Sequence, residues 1–484
     1  MGDNLKQKTL DALTWTTVDR FGQQSVQFII GLILARLLSP DDYGLFGLVT
    51  IFAALSFVLI ESGFGQALIR KKDANDTDFN SVFYFNIFVS ALLYFILYFS
   101  TPAIANFFKQ PQLIYIGRVI FISILFNAFY LVPFTKMVKV MNFKTVAKVN
   151  LSATILSGSC GVVLAFMHFG VWALVTQQVS FHFFRMIAYY NFVRWRPKRI
   201  FSFSVIREFW SFSIHILGTS LLNVVFNNIY ILILGKFYQK KEVGYYTYAN
   251  KLSETFNFTF QQILLGSTFS MFSQIQDDDE RFKRVFREFS KKISIITLPV
   301  MTVLIAVAYP FIIVLLTNKW AASVPYFQLL CMASLFNPFY SLNMSALNAR
   351  GNSRGTFIIE TIKKSLILLS VFVCFHFGII SLLWGYVIAC FISYLISTIY
   401  LKREIKIYIK HQIIDILPSL FFGIVIALAA FSLSFILSNL HVLLLCQFFL
   451  VIIMYWFIVR KFQPELYKQA IDFIIDKTNT LKKK

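Results

Sequence analysis

Long apolar runs without a charged residue recur from one end of the chain to the other, and they restrict what it can fold into. Residues 371–401, for example, include no Asp, Glu, Lys or Arg. An apolar stretch of about 20 residues is long enough to cross a bilayer as a helix. Of the 484 residues, 57% are hydrophobic and 14% are charged, against about 25% charged in soluble proteins. The sequence therefore predicts an all-α polytopic membrane protein.

About fourteen segments have the length and composition of membrane-spanning helices. The predicted helices cover residues 10–38, 43–68, 80–101, 112–135, 146–168, 170–192, 206–236, 242–272, 292–317, 323–349, 356–377, 379–401, 414–438 and 441–460.

All five cysteines lie in apolar runs without Cys-x-x-Cys spacing. We therefore expect them to be small buried side chains rather than disulfides or metal ligands. We also expect no cofactor.

The distribution of cations predicts the orientation of these helices. With the N-terminus in the cytoplasm, 33 Lys and Arg residues fall in cytoplasmic segments and five in outer segments. An excess of cations on the cytoplasmic side is the usual pattern of multispanning proteins. We therefore expect both termini in the cytoplasm and no nucleic-acid partner despite the formal charge of +22.

Residues 277–292 have a different character from the apolar runs. Phe282, Val285, Phe286 and Phe289 recur at helical spacing with charged residues between them, and Ile293 continues the same face. This periodicity predicts an amphipathic helix that lies on the cytoplasmic face of the membrane.

Two segments of the first half recur in the second half in the same order. LILARLLSPDDYGLF at residues 32–46 aligns without a gap with LILGKFYQKKEVGYY at residues 232–246, and the His-Phe-Gly turn at 168–170 recurs at 376–378. Six predicted helices separate the copies, so the repeat is parallel, as in transporters that rock two bundles about a central cavity. The predicted domains are an N-terminal bundle (1–192), a basic linker (193–205), a second bundle (206–401, including the amphipathic helix), two further helices (402–460) and a basic tail (461–484).

The N-terminal region also resembles a known family. VDRFGQQ at residues 18–24, the stretch LILARLLSPDDYGLFGLV and ESGFGQALIRK at 61–71 are similar to the opening of bacterial polysaccharide-exporter flippases. These form the Wzx-type branch of the MOP (multidrug/oligosaccharidyl-lipid/polysaccharide) exporter superfamily. The resemblance implies two six-helix bundles around a V-shaped cavity, two added C-terminal helices and alternating access. It also implies a polyprenyl-pyrophosphate-linked oligosaccharide as substrate.

Polar residues within the predicted spans are the candidates for a substrate cavity, because charge inside a bilayer is costly and often functional. A polar seam between helices, interhelical hydrogen bonds and a Lys251–Glu254 ion pair are the structural alternatives. Four other cations lie near enough to an interface for their side chains to extend to it, which makes them weaker candidates for the cavity. They are Arg36, Arg185, Lys363 and Lys364. The candidate cavity-lining residues are Asp19, Arg20, Gln23, Gln27, Glu61, Arg118, Asn223, Asn227, Tyr248, Lys251 and Glu254.

Three functions are compatible with these features. The first is a flippase for an O-antigen, capsule or exopolysaccharide repeat unit, with membrane lipids and the glycan-polymerising machinery as further partners. In it, Arg20 and Lys251 would face the pyrophosphate. The second is a cation-coupled multidrug antiporter of the same fold, against which the excess of cations over acids within the spans counts. The third is a membrane-embedded glycosyltransferase or polymerase, against which the short outer connections count. The sequence does not identify the coupling ion.

Overall fold

The computed structural model describes residues 2–61, 63–265 and 268–462, and within them every long element is an α-helix. In this part of the chain, three short 3-10 helices accompany nineteen α-helices. The α-helices are α1 (Gly2–Leu37), α2 (Pro40–Glu61), α3 (Phe64–Arg70), α4 (Asp76–Phe108), α5 (Leu113–Ile120), α6 (Ile122–Lys139), α7 (Phe143–Phe166), α8 (Val171–Phe192), α9 (Phe203–Phe237), α10 (Lys240–Leu265), α11 (Thr268–Gln274), α12 (Asp279–Ala306), α13 (Ala308–Leu316), α14 (Val324–Ser334), α15 (Asn337–Ala349), α16 (Ser353–Cys374), α17 (Ile379–Ile405), α18 (Ile409–Ser432) and α19 (Leu440–Phe462).

Nine helical segments within the described residues are long and apolar enough to cross a membrane. The helix α1 is not among them, in keeping with the polar side chains it carries along its length. Many apolar side chains of these nine segments are exposed, including those of Phe88, Phe99 and Phe448. Such a surface is expected where the surrounding solvent is hydrocarbon.

Local sequence explains where several helices begin. Asn75 accepts a hydrogen bond from the Asp78 backbone N–H, and the Asp78 side chain accepts one from the Asn75 N–H, so a capping box starts α4. The His-Phe-Gly turns precede α8 and α17, where Gly170 and Gly378 have φ of 58° and 92°. Glycine takes such backbone angles without the steric cost of a Cβ.

The chain divides into two compact units, Met1–Tyr248 and Ala249–Lys484. In the first unit, α9 and the start of α10 pack with the helices that precede the predicted linker. That linker is tied to the start of α4: the Lys198 backbone N–H donates to Asn80 Oδ1 (2.6 Å) and the Ser202 N–H to Ser81 Oγ (2.9 Å). Trp195, also in the linker, is buried.

The second unit corrects the prediction of a separate amphipathic helix on the membrane surface. Residues 279–292 continue without a break into the following apolar residues as the single helix α12. The predicted apolar face is covered by protein, since Phe282, Phe286 and Ile293 are buried against Phe272 and Phe339. The periodicity identified the buried face correctly, but it could not show whether lipid or protein covers it. The weakly amphipathic tail after Pro464 lies outside the described residues.

The repeated glycines meet each other at a helix crossing within the first unit. A Cβ added at Gly44 of α2 would lie 1.9 Å from the Lys240 carbonyl oxygen, and one added at Gly244 of α10 would lie 1.8 Å from the Pro40 carbonyl oxygen. Gly47 and Thr247, also 200 residues apart, are in contact next to this crossing. The contacts are reciprocal, so the crossing has a local two-fold character.

Candidate functional site

The helix α1 presents its predicted polar face partly to α7, along which it packs. Gln23 Nε2 donates to Asp19 Oδ1 (2.8 Å), and Asn150 Nδ2 of α7 donates to Asp19 Oδ2 (3.0 Å). The backbones approach closely here, since Gly158 of α7 faces Ile30 of α1 with no room for a Cβ. Asp19 and Gln23 therefore belong to a hydrogen-bonded seam between helices.

The other two residues of that face point away from the seam. Arg20 and Gln27 are exposed, and Arg20 makes no hydrogen bond or ion pair within the described part of the chain. Asp19 beside it is the nearest acid along the chain, but its oxygens are held by amides. The guanidinium of Arg20 thus offers five unused N–H donors, a geometry suited to carboxylate or phosphate oxygens.

The side chain of Arg185, which the sequence places near enough to an interface to extend to it, contacts other side chains of the first unit instead. Its guanidinium lies 4.5 Å from the centroid of the Tyr130 ring and 5.3 Å from that of Phe181, and its Nη1 donates to the Tyr130 hydroxyl (3.0 Å). The same hydroxyl accepts from Asn127 Nδ2 (2.8 Å) and lies 2.9 Å from Nδ1 of the buried His182. Aromatic rings and hydrogen bonds from a neighbouring helix hold the side chain inside the unit. Spacing along α8 places Phe181 one turn from Arg185, but it gives no signal for Tyr130, which comes from α6.

Glu61 and Arg118 have different surroundings. Glu61 is the last residue of α2, it is exposed, and its carboxylate interacts electrostatically with Arg185. The half-buried Arg118 of α5 lies over the Tyr98 ring, 4.4 Å from its centroid. Glu61 is therefore part of the surroundings of Arg185, whereas Arg118 lies in a separate aromatic contact with α4.

The candidates on α9 and α10 within the first unit divide between exposed and buried positions. Asn223 and Asn227 are exposed on α9. Tyr248 is buried: its hydroxyl donates to the Gly31 carbonyl oxygen (3.1 Å) and its ring meets that of Tyr43 edge-on. Tyr248 thus contributes to packing between α10 and the first two helices.

In the second unit, Lys251 and Glu254 are both exposed and do not pair with each other. Glu254 Oε1 accepts from Asn250 Nδ2 (2.9 Å), and Lys251 Nζ makes no hydrogen bond or ion pair within the described residues. Further along, Lys363 lies over the Tyr340 ring (4.0 Å to the centroid), while the Tyr340 hydroxyl donates to Glu360 (2.7 Å). Lys251 therefore resembles Arg20 in having an exposed cation without a partner, and Lys363 does not.

The exposed candidates include two cations and several side-chain amides, groups that suit an anionic, hydroxyl-rich ligand. They are Arg20, Lys251, Gln27, Asn223 and Asn227. Within the described residues, no three His, Cys, Asp or Glu side chains are grouped so that they could hold a metal ion.

The helical fold, the apolar outer surface and the polar faces on α1, α9 and α10 define a multi-pass membrane transport protein. Residues 33–325 match the family model described as "Polysaccharide biosynthesis protein", and the chain belongs to this family. The "Teichuronic acid biosynthesis protein TuaB" of Bacillus subtilis is 23% identical over 89% of this chain and 90% of its own length. The "Lipopolysaccharide biosynthesis protein WzxC" of Escherichia coli is 23% identical over 71% of each chain.

Solved structures share the fold at low sequence identity. The "Lipid II flippase MurJ, inward closed conformation" superposes with a TM-score of 0.71 at 18% identity, over 94% of this chain and all of that one. An inward-facing multidrug resistance MATE family transporter of the MOP superfamily superposes with a TM-score of 0.60 at 13% identity, over 79% of this chain and 96% of that one. The resemblance to the MOP superfamily and its Wzx-type branch is confirmed.

Proposed function

We propose that the protein moves a polyprenyl-pyrophosphate-linked oligosaccharide from the cytoplasmic to the outer leaflet of a bacterial inner membrane by alternating access. Family membership supports transport in polysaccharide biosynthesis. The names of the relatives refer to teichuronic acid, lipopolysaccharide and lipid II, which makes a lipid-linked glycan the natural substrate class. The head group would pass through a hydrophilic cavity while the polyprenyl tail stays in lipid.

The observation that carries this proposal is the exposure of Arg20 and Lys251 without partners. A cation deep in a span costs roughly 3 kcal/mol on insertion scales when it faces lipid, and neither side chain forms an ion pair or a hydrogen bond with an acid within the described residues. Helix faces that carry such cations are expected to line a water-filled cavity. When a substrate arrives, each cation can exchange that water for phosphate oxygens through charge-assisted hydrogen bonds.

The finer architecture belongs to the same proposal. The helices would group into fourteen spans, with residues 10–192 and 206–401 as equivalent bundles followed by two further spans. The reciprocal contact of Gly44 and Gly244 supports equivalence of the copies. Both termini would be cytoplasmic, with Asp42 outside and Arg281 inside. Single cysteines at these two positions should react with a membrane-impermeant thiol reagent from opposite sides, and labelling from the same side would contradict the topology.

Replacement of the two cations tests the function. Arg20→Ala and Lys251→Ala should each reduce transport of a labelled polyprenyl-pyrophosphate oligosaccharide in proteoliposomes by about tenfold or more, which corresponds to the loss of one charged hydrogen bond. Arg20→Lys should keep part of the activity, because the charge remains while the two-pronged donor geometry is lost.

Lys363→Ala is the matched control, because Lys363 is a cation within a predicted span that already lies over Tyr340. It should transport at close to the wild-type rate when the membrane levels of all variants are equal. Near-normal transport by all three alanine variants would assign the cations a structural role. Transport of organic cations, with no movement of lipid-linked glycan, would support a multidrug antiporter instead.

A further inference from the structure

A cavity of about 440 Å³ lies between α12, α18 and α19 of the second unit, apart from the polar faces described above. Its wall is mostly apolar, with Ile295, Phe422, Ile426 and Ile458 among the lining residues. Lys291 and Asp415 stand at one end. The cavity therefore joins a charged end to an apolar interior.

The charged end has one more cation than acids. Arg287 Nε and Nη2 donate to the two oxygens of Asp415 (2.8 and 2.9 Å), whose side chain is only 1% exposed. Lys291 Nζ lies 3.6 Å from the same carboxylate and makes no hydrogen bond within the described residues. Because Arg287 already satisfies both carboxylate oxygens, Lys291 keeps its donors for another anion.

Three helices place this charged end at the level of lipid head groups. In α12 the charged residues stop at Lys292, and residues 293–306 include none. In α18 they stop at Asp415, and in α19 they begin at Arg460, next to the lining residue Val459. The boundary between charged and apolar sequence in all three helices thus coincides with the charged end of the cavity.

Two prolines shape the apolar part. Pro299 in α12 has no N–H to donate to the carbonyl of Ile295, and the Tyr455 hydroxyl of α19 donates to that carbonyl instead (3.3 Å). Pro418 lines the same cavity within α18. The Tyr455 hydroxyl therefore links α19 to α12, and it satisfies from within the protein the backbone carbonyl that Pro299 leaves without a donor.

We propose that this cavity binds an anionic phospholipid of the surrounding bilayer, with its phosphate on Lys291 and an acyl chain along Ile295, Phe422 and Ile458. An excess of positive charge at head-group depth attracts an anionic head group. The apolar wall holds an acyl chain in place by van der Waals packing. The bound lipid would tie α12, α18 and α19 together. This inference does not depend on the substrate proposed above.

The test uses the full chain in detergent with added palmitoyl-oleoyl phosphatidylglycerol or phosphatidylcholine, and native mass spectrometry counts the lipid retained. Lys291→Ala should weaken phosphatidylglycerol binding roughly fivefold, the effect expected for one cation at a membrane surface, and Lys291→Arg should keep it. Lys292→Ala is the matched control, because Lys292 is the next residue of the same helix and is paired with Glu288 (2.6 Å).

A second pair of variants tests the apolar part. Ile458→Trp fills the cavity and should reduce binding, whereas Ile453→Trp on the exposed face of the same helix should not. Equal retention of the two lipids, equal losses for Lys291→Ala and Lys292→Ala, or unchanged binding in both Lys291→Ala and Ile458→Trp would each overturn the proposal. If Ile458→Trp does not fold, the contrast between Lys291→Arg and Lys291→Ala decides, and equal retention in those two also overturns it.

Discussion

The two copies of the internal repeat are alike where helices cross and unlike where they are polar. The first copy begins with α1 and α2, and the second with α9 and α10. At the crossing, Gly44 and Gly244 each leave room for the other copy's backbone. Along the first helix of each copy, amides are kept at equivalent positions, Gln23 with Asn223 and Gln27 with Asn227, at an offset of 200 residues.

Charged residues do not follow this equivalence. Asp19 and Arg20 of the first copy correspond to Thr219 and Ser220, and Lys251 corresponds to Ile51, which is buried. The charge of Arg185 is not repeated either. At the His-Phe-Gly offset of 208 residues, Arg185 corresponds to the buried Ser393. The contrast teaches that steric fit fixes the shared scaffold, while each copy has acquired its own charges.

Replacement of Arg185 should produce the largest difference between the copies. Arg185→Ala removes a cation from the face of the Tyr130 ring and a hydrogen bond to its hydroxyl. We expect a loss of about 3 kcal/mol of stability, about 2 from the desolvated cation–π contact and about 1 from the hydrogen bond. Ser393→Ala, at the equivalent position, removes only a hydrogen bond to the Ala389 carbonyl of its own helix. Thermal unfolding in detergent, followed by tryptophan fluorescence, measures both; similar midpoints for the two variants would contradict the comparison.

Substitution of either glycine at the helix crossing should destabilise the protein by a similar amount. Gly44→Ala and Gly244→Ala each place a methyl group within 2 Å of a backbone carbonyl oxygen, so each should cost about 2 kcal/mol or more through overpacking. The control is Gly218→Ala in α9, where nothing lies within 4 Å of the added Cβ and a gain of about 0.5–1 kcal/mol is expected. Unequal effects of the first two variants would show that the crossing is not reciprocal.

Asp19 should matter for transport where its counterpart does not. Asp19→Asn removes the charge that accepts from Gln23 and Asn150, and we expect about a tenfold slower export at equal membrane level. Thr219→Ala should change export less than about twofold, because the Thr219 hydroxyl donates only to carbonyl oxygens one turn earlier in α9. The rate of glycan export in vesicles distinguishes them, and equal rates would remove Asp19 from the site.

The ion pair beside the crossing should contribute least. Asp41 and Lys240 lie 3.7 Å apart, and both side chains are about one-third exposed. Asp41→Asn should lower stability by less than about 1 kcal/mol, and the difference should vanish at high salt. Unfolding midpoints at low and high ionic strength provide the measurement, and a salt-independent loss would point to a packing role for Asp41.

Much of the helix pattern was predictable because its causes are local. Every predicted span overlaps α-helix, and the Asn75 capping box and the glycine turns before α8 and α17 mark helix starts within a few residues. Several predicted spans are divided in two, as at Phe121 between α5 and α6 and near Phe336 between α14 and α15. The second break has a local signal that the span prediction overlooked, since Pro338 stands in the first turn of α15. The break at Phe121 has no comparable signal.

The candidate site was only partly predictable. Periodicity placed Asp19, Arg20, Gln23 and Gln27 on one face of α1, but it could not show that α7 takes Asp19 and Gln23 while Arg20 and Gln27 remain exposed. It could not reveal the aromatic surroundings of Arg185, because Tyr130 lies 55 residues away in sequence.

The sequence by itself determined that this chain is helical, multi-pass and internally repeated, because hydropathy, capping and glycine spacing act over short stretches of backbone. Only the tertiary structure decided which polar groups satisfy one another, which cations are left without an acid, and that protein rather than lipid covers the apolar face of α12. The physical reason is that a side chain's free energy depends on its neighbours across helices, and sequence spacing along one helix does not specify them.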